Sequence, residues 1–360
     1  VFLQPPLFLY AADFDRKITN MRSFGSDNNA SVHPKIMEAL TDANRDQAPG
    51  YGDDEWTQRA SESVRSLFDG EVLPLFVYNG TGSNMVALQL MTRSYNSILC
   101  AETAHIAVDE CNAPGKFTGS MLRPVDTPDG KLTPELLRPY LTGFGFEHHS
   151  QPGALYVSQC TELGTVYTPD ELKALVDFVH GYGLKVHLDG ARIANAAASL
   201  GVSIKEISQD CGVDTMTLGG TKNGLMFGEC VVVFDRSLFD AAKYVRKQSG
   251  QLASKMRYIS AQFSAYLENG LWLECAAHAN RMAGILYRRL SAIPGIVFTQ
   301  KVQSNQLFLT MPKKVSEKLS EDYFFYFWNE AVGEVRFVTS FDTVEKDIDN
   351  LVAAVETAMK

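Results

Sequence analysis

The chain has 360 residues, a mass of 39.8 kDa and 45% hydrophobic, 21% charged and 11% aromatic residues, the composition of a soluble globular protein long enough for about two domains. Thirty-three Lys and Arg against 42 Asp and Glu leave a net charge of −9. Without a dominant basic stretch, this argues against a constitutive nucleic-acid binder, whose affinity would come mainly from phosphate neutralisation. Six Cys and seven His are too dispersed for a metal signature, so no metal is expected.

The first apolar stretch, Val1 to Ala12, is interrupted by Gln4, Pro5 and Pro6. It fits neither a signal peptide nor a membrane span, and residues 1–20 are read as an extended arm. The cysteines form no CxxC pair, so free thiols and a cytoplasmic location are expected.

From about residue 73, short β-rich runs alternate with helical patterns. Strands are expected at Leu75–Tyr78, Ser97–Cys100, Met121–Val125, Ala154–Ser158, Lys185–Leu188, Thr215–Leu218 and Cys230–Phe234, with helices such as Asn84–Ser94, Pro169–Tyr182 and Arg192–Leu200 between them. Nearly continuous apolar strands separated by helices predict an α/β fold, a mostly parallel sheet covered on both faces. Met256–Glu268 and Leu271–Ile293 then read as long helices. Ile296–Thr299, Gln306–Thr310 and Glu334–Val338 read as strands, and Val344–Met359 as a closing amphipathic helix. The expected division is a large domain over 21–275 and a smaller α+β domain over 276–360, closing a site at the carboxyl ends of the parallel strands.

Two strand ends carry the strongest chemical signal. His187-Leu188-Asp189-Gly190-Ala191-Arg192 follows one apolar strand, and Gly219-Gly220-Thr221-Lys222-Asn223-Gly224 follows a later one. A Lys amine can form a Schiff base with an aldehyde cofactor, and an Asp can keep a pyridine nitrogen protonated. Alone, such an Asp is usually an N-cap and such a Lys a solvated loop residue; the joint pattern is what points to chemistry. The turn Asn79-Gly80-Thr81-Gly82-Ser83-Asn84 offers free backbone N–H groups and hydroxyls to a phosphate. His105, after another strand, could stack on a ring.

These residues resemble the low-specificity L-threonine aldolase and phenylserine aldolase group, in the β-eliminating lyase branch of the fold type I, aspartate-aminotransferase-like pyridoxal-phosphate enzymes. The resemblance runs through Ser26-Asp27-Asn28-Asn29 with Pro34, Tyr51-Gly52-Asp53-Asp54, the turn at 79–84, Ala104-His105-Ile106, His187–Arg192, Thr221–Gly224 and Val335-Arg336-Phe337-Val338-Thr339. It covers about residues 22 to 358, in the family's order. Two departures stand out. Gln159-Cys160-Thr161-Glu162-Leu163-Gly164 replaces the usual Glu-Asn-Thr-His-Asn, and Lys255-Met256-Arg257 matches its family region only at Met-Arg.

The resemblance implies pyridoxal 5'-phosphate as cofactor, with Lys222 as its Schiff-base lysine, Asp189 on the pyridine nitrogen and His105 stacked on the ring. It implies Gly80, Thr81, Gly82, Ser83 and Thr221 around the phosphate, with Arg257 reaching it from a neighbouring subunit. Arg192 and Arg336, with Ser26 and Tyr51, would bind the substrate. The implied reaction is cleavage of L-threonine, L-allo-threonine or a bulkier β-hydroxy-α-amino acid such as phenylserine to glycine and an aldehyde. A β-eliminating lyase, an aminotransferase and a non-enzymatic binding protein are the alternatives. The base at the β-hydroxyl is left open among His149, His105 acting through water, and water alone, with His148 adjacent to His149. No nucleic-acid or membrane partner is expected, and a homo-oligomer is, a tetramer rather than a dimer.

Overall fold

A computed structural model describes residues 22–360; the arm read at residues 1–20 lies outside them. The central sheet has seven strands: β1 (Leu73–Val77), β2 (Asn96–Ala101), β3 (Met121–Val125), β4 (Gln151–Ser158), β5 (Lys185–Asp189), β6 (Thr215–Gly219) and β7 (Glu229–Val233). They lie in the order β1-β7-β6-β5-β4-β2-β3. The pairs from β3 to β6 are parallel, and β7 runs antiparallel to both its neighbours. This is the expected mostly parallel α/β sheet. β4 starts three residues before the expected Ala154, because Asn96 and Ser97 of β2 pair with Gln151 and Pro152 before the register shifts.

Helices cover the sheet. Pro169–His180 begins with a capping box between Thr168 and Glu171 and buries Leu172, Leu175, Val176 and Val179, the i, i+3, i+4, i+7 stripe of an amphipathic helix. The helix Gly80–Met91 is buried on nearly every side, because it packs across several strands of the sheet. Among the described residues, no helix is long and apolar enough to cross a membrane.

A second, antiparallel sheet contains β8 (Val297–Phe298), β9 (Gln306–Thr310), β10 (Tyr326–Asn329) and β11 (Glu334–Val338), in the order β10-β11-β9-β8. The helix Glu345–Met359 lays Ile348, Leu351 and Val355 into a core with Leu307, Leu309, Val335 and Phe337. The two cores meet within one helix, Leu271–Leu290: Leu271 and Cys275 belong to the large core, Met282, Leu286 and Leu290 to the small one. The start of the described chain crosses between them. Phe24 packs in the small core, bonds Phe324 and Val338 through its backbone, and thereby delivers Ser26 and Asp27 to the junction.

Candidate active site

Because β7 runs between β1 and β6, Val77 and Gly219 both pair with Glu229, and the turns that follow them leave the sheet at one edge. Ser158 and Asp189 are also register partners, at the ends of β4 and β5. Gly80, His105, Ser158, Glu162, Asp189, Arg192 and Lys222 therefore line one cleft, supplied by five different strands. A cleft at the carboxyl ends of parallel strands is where such sheets place ligands.

Asp189 is held by three donors. Tyr156 Oη and Asn84 Nδ2, the latter at 3.1 Å, donate to its Oδ2, and the Ala191 N–H donates to Oδ1 at 2.9 Å. Burial alone would raise its pKa, but the Tyr156 and Ala191 donors with the nearby His105 outweigh it and hold the carboxyl below its ordinary range. The Asn84 amide orients the neighbourhood: its NH2 faces Asp189 and Glu110, the latter at 2.8 Å, so its oxygen accepts from His187 Nε2 at 3.1 Å. Burial drives His187 down to about 4, leaving it a neutral spacer.

His105 opens a short helix after β2. Its Nδ1 lies 2.7 Å from Glu110 Oε1, and an ionised carboxylate only accepts, so Nδ1 carries the proton and Nε2 is left open. Burial lowers the imidazole's pKa, yet the Glu110 hydrogen bond and the Asp189 charge bring it out above normal.

Lys222 has no hydrogen bond or ion pair among the described residues. Burial, then repulsion from Arg192, lowers its pKa, which favours the neutral, nucleophilic amine. The turn carrying it is pinned from below: Gly220 N–H donates to Glu229 Oε2 at 2.7 Å, and Tyr266 Oη donates to the Gly219 carbonyl at 3.1 Å. Burial pushes Glu229 up to about 7. Thr221 Oγ1 accepts from Gly228 N–H at 3.1 Å, so its hydroxyl closes the turn rather than standing free for a phosphate.

The Gly80–Gly82 turn divides differently from the expectation. Asn79 caps the helix by accepting the Gly82 N–H at 2.7 Å, and a Cβ at Gly82 would strike the Gln251 side chain at 2.2 Å. Gly82 is therefore spent on close packing. Ser83 is fully buried, its hydroxyl bonded to Thr217 of β6 at 2.7 Å, and it faces the sheet rather than the cleft. Gly80 and Thr81 remain, with N–H groups that find no acceptor among the described residues and open space beside the Gly80 Cα. A helix N-terminus with free N–H groups suits a phosphate.

Arg192 also differs from the expectation. Its Nε and Nη2 donate to the two oxygens of buried Asp27 at 2.7 and 2.9 Å, so much of its fork is already engaged. Arg336 lies close enough for Arg192's charge to act on it. Burial and that repulsion hold its pKa near 10; it stacks on Tyr326 and Trp328, and its buried Nε has no partner. Ser26 Oγ accepts the Asn28 N–H at 3.1 Å as an N-cap at this junction.

His149 and His148 stand apart from the other expected site residues. They are exposed, packed against Phe146 just before β4, at the opposite end of the strand from Ser158 and Glu162. Within one chain, neither reaches the cleft. Tyr51 stacks with Lys247, and Arg257 donates to the Arg45 and Asp46 carbonyls; neither lines the cleft of its own chain. Gln159 turns away too, exchanging both side-chain bonds with the Tyr167 backbone.

Tyr156 and Glu110 have no sequence motif of their own. Tyr156 was detectable in principle, as a polar tip two residues before Ser158 on the same strand face; Glu110 gives no such signal.

The donor set fits pyridoxal phosphate. It comprises an unpartnered Lys, a multiply held carboxylate, a helix N-terminus with free N–H groups and an orphaned buried guanidinium nitrogen. The beta-eliminating lyase family matches residues 23–312. A low specificity L-threonine aldolase from a Pseudomonas species is 40% identical over 339 residues, 94% of this chain and 98% of that protein. Another from Pseudomonas aeruginosa is 41% identical over 89% of this chain and 93% of its own length. The solved structure of a Leishmania major threonine aldolase superposes with a TM-score of 0.89 at 30% identity, covering 94% of this chain and all of that one.

Proposed function

The chain belongs to the beta-eliminating lyase family, and from that premise we propose that it is a pyridoxal-phosphate-dependent aldehyde-lyase of the threonine aldolase type. It would cleave L-threonine, L-allo-threonine or a related β-hydroxy-α-amino acid to glycine and an aldehyde. The observation that carries this reading is the shared cleft of unpartnered Lys222 and multiply held Asp189, beside His105.

When bound, pyridoxal phosphate supplies an aldehyde for amine exchange and an electron sink for the bond broken at Cα. Lys222 would be its covalent anchor, its low proton affinity keeping the amine able to attack and to be displaced. Asp189, kept ionised by Tyr156, Asn84 and Ala191, would hold a proton on the ring nitrogen. Gly80 and Thr81 N–H groups would take the phosphate, and His105 would cover the ring. The Arg336 guanidinium, with whatever part of the Arg192 fork Asp27 leaves, would fix the substrate carboxylate. Holding both the carboxylate and the amine orients the Cα–Cβ bond for cleavage. Tyr51 and Arg257 would serve a neighbouring subunit's site in a homotetramer, and the enzyme would work in the cytoplasm.

The test is product analysis of the purified protein with L-threonine, L-allo-threonine and L-phenylserine. Aldehyde plus glycine supports the reading; pyruvate and ammonia, or amino transfer, overturns it in favour of a lyase or aminotransferase on the same fold.

A further inference from the structure

We propose that Glu162 is the base that takes the proton from the substrate's β-hydroxyl, an inference that rests on the aldolase reading. Glu162 follows β4 and lines the cleft with Lys222 and His105. Its Oε1 is fixed by two donors, the Ser158 hydroxyl at 2.7 Å and the His105 backbone N–H at 2.8 Å. Its Oε2 has no hydrogen bond among the described residues, and it is not among their closed-off polar atoms, so one carboxylate oxygen is oriented and open to the cleft. Burial raises the proton affinity of this carboxyl, toward the range in which a general base works best.

The other candidates are committed elsewhere. Asp189 already accepts from three donors, and Asp27 from Arg192 and Asn305. The Glu110 side chain is fully buried, and Glu229 turns toward Gly220. His105 gives its Nδ1–H to Glu110, and in the reading above its ring is spent on covering the cofactor. His149 lies beyond the far end of β4.

The step balances. The β-hydroxyl O–H breaks toward Glu162 Oε2, the aldehyde carbonyl forms as Cα–Cβ breaks, and that bond's electron pair passes to the bound cofactor. Glu162 then returns its proton through water, while the glycine produced gains one at Cα.

Glycine separates this role from a role in holding the cofactor, because it has no β-hydroxyl. In the holoenzyme, Glu162→Gln keeps the shape and both bonds to Oε1. Threonine kcat is expected to fall about 100-fold or more, within the range for losing a general base. Exchange of glycine's α-proton in heavy water, and the glycine-induced change in cofactor absorbance, should stay unchanged, with Glu162→Asp recovering part of the cleavage rate. Equal loss with glycine and threonine, or an unaffected threonine kcat, overturns the assignment while the aldolase reading stands. Wild-type protein that forms no aldehyde overturns both.

Discussion

Arg192 and Asp27, far apart in sequence, form a bidentate ion pair at 2.7 and 2.9 Å, with side chains 11% and 1% exposed. The pair ties the segment entering the small core to the loop after β5. Asn305, which reaches both Asp27 and the Thr339 carbonyl, extends the link to the second sheet. The junction of the two cores thus shares Arg192 with the cleft.

Removing one partner of such a pair leaves a buried charge uncompensated. Asp27→Asn is expected to destabilise the protein by about 3–5 kcal/mol at pH 7, read as a lower urea midpoint. Burial raises the Asp27 pKa, but Arg192 outweighs it and the net shift is downward from 3.8. A carboxyl depressed in the folded state stabilises fully above its unfolded value, and that contribution fades as pH falls through the folded one. The gap between variant and wild type should therefore be widest near neutrality and close in acid below pH 3.8.

Lys222→Ala should abolish the absorbance of the covalently held cofactor as well as turnover, because no other amine among the described residues lines the cleft. Absorbance spectra and borohydride trapping read this directly. A variant that still traps cofactor would move the anchor elsewhere.

Tyr156 is fully buried, and burial with the Asp189 charge keeps its phenol protonated, so it is a permanent donor to Asp189. Tyr156→Phe removes one hydrogen bond to a charged group, worth about 1.5–3 kcal/mol. Asp189 should then ionise less readily, and kcat/KM should fall roughly 10- to 100-fold, since each 1.4 kcal/mol is a factor of ten. Circular dichroism should show the fold unchanged.

Glu110→Gln removes the carboxylate that raises the His105 pKa against burial. The imidazole's titration, followed by NMR, should move to lower pH. The sign for stability follows: a His raised in the folded state stabilises below its unfolded value of 6.5, and that contribution is lost as pH rises through the folded value. The variant should lose this acid-side advantage.

How legible the molecule was in its sequence depended on range. The strands of the large sheet follow from apolar runs bounded by turns, and Asp189, Lys222 and Gly80 from the turns after them. β10 was missed because Tyr326–Asn329 is stabilised by pairing with β11, not by a local alternation of its own. Glu110 and Tyr156 become site residues only when β2, β4 and β5 lie side by side. His149, one of the three candidates for the base, lies away from the cleft of its own chain because β4 runs between it and Ser158.

Ser83 offers the sharpest contrast between motif and geometry. Its place in the Gly-rich turn suggests a phosphate ligand, yet its hydroxyl is fully buried against Thr217. Ser83→Ala removes a buried hydrogen bond and leaves the Thr217 hydroxyl only its longer contact with His187, at a cost of about 1–3 kcal/mol in stability. Cofactor affinity measured on the folded variant should stay the same, because the free N–H groups of Gly80 and Thr81 are untouched. Chemical denaturation and cofactor titration read the two quantities separately. A variant of unchanged stability that binds pyridoxal phosphate more weakly would return Ser83 to the phosphate site.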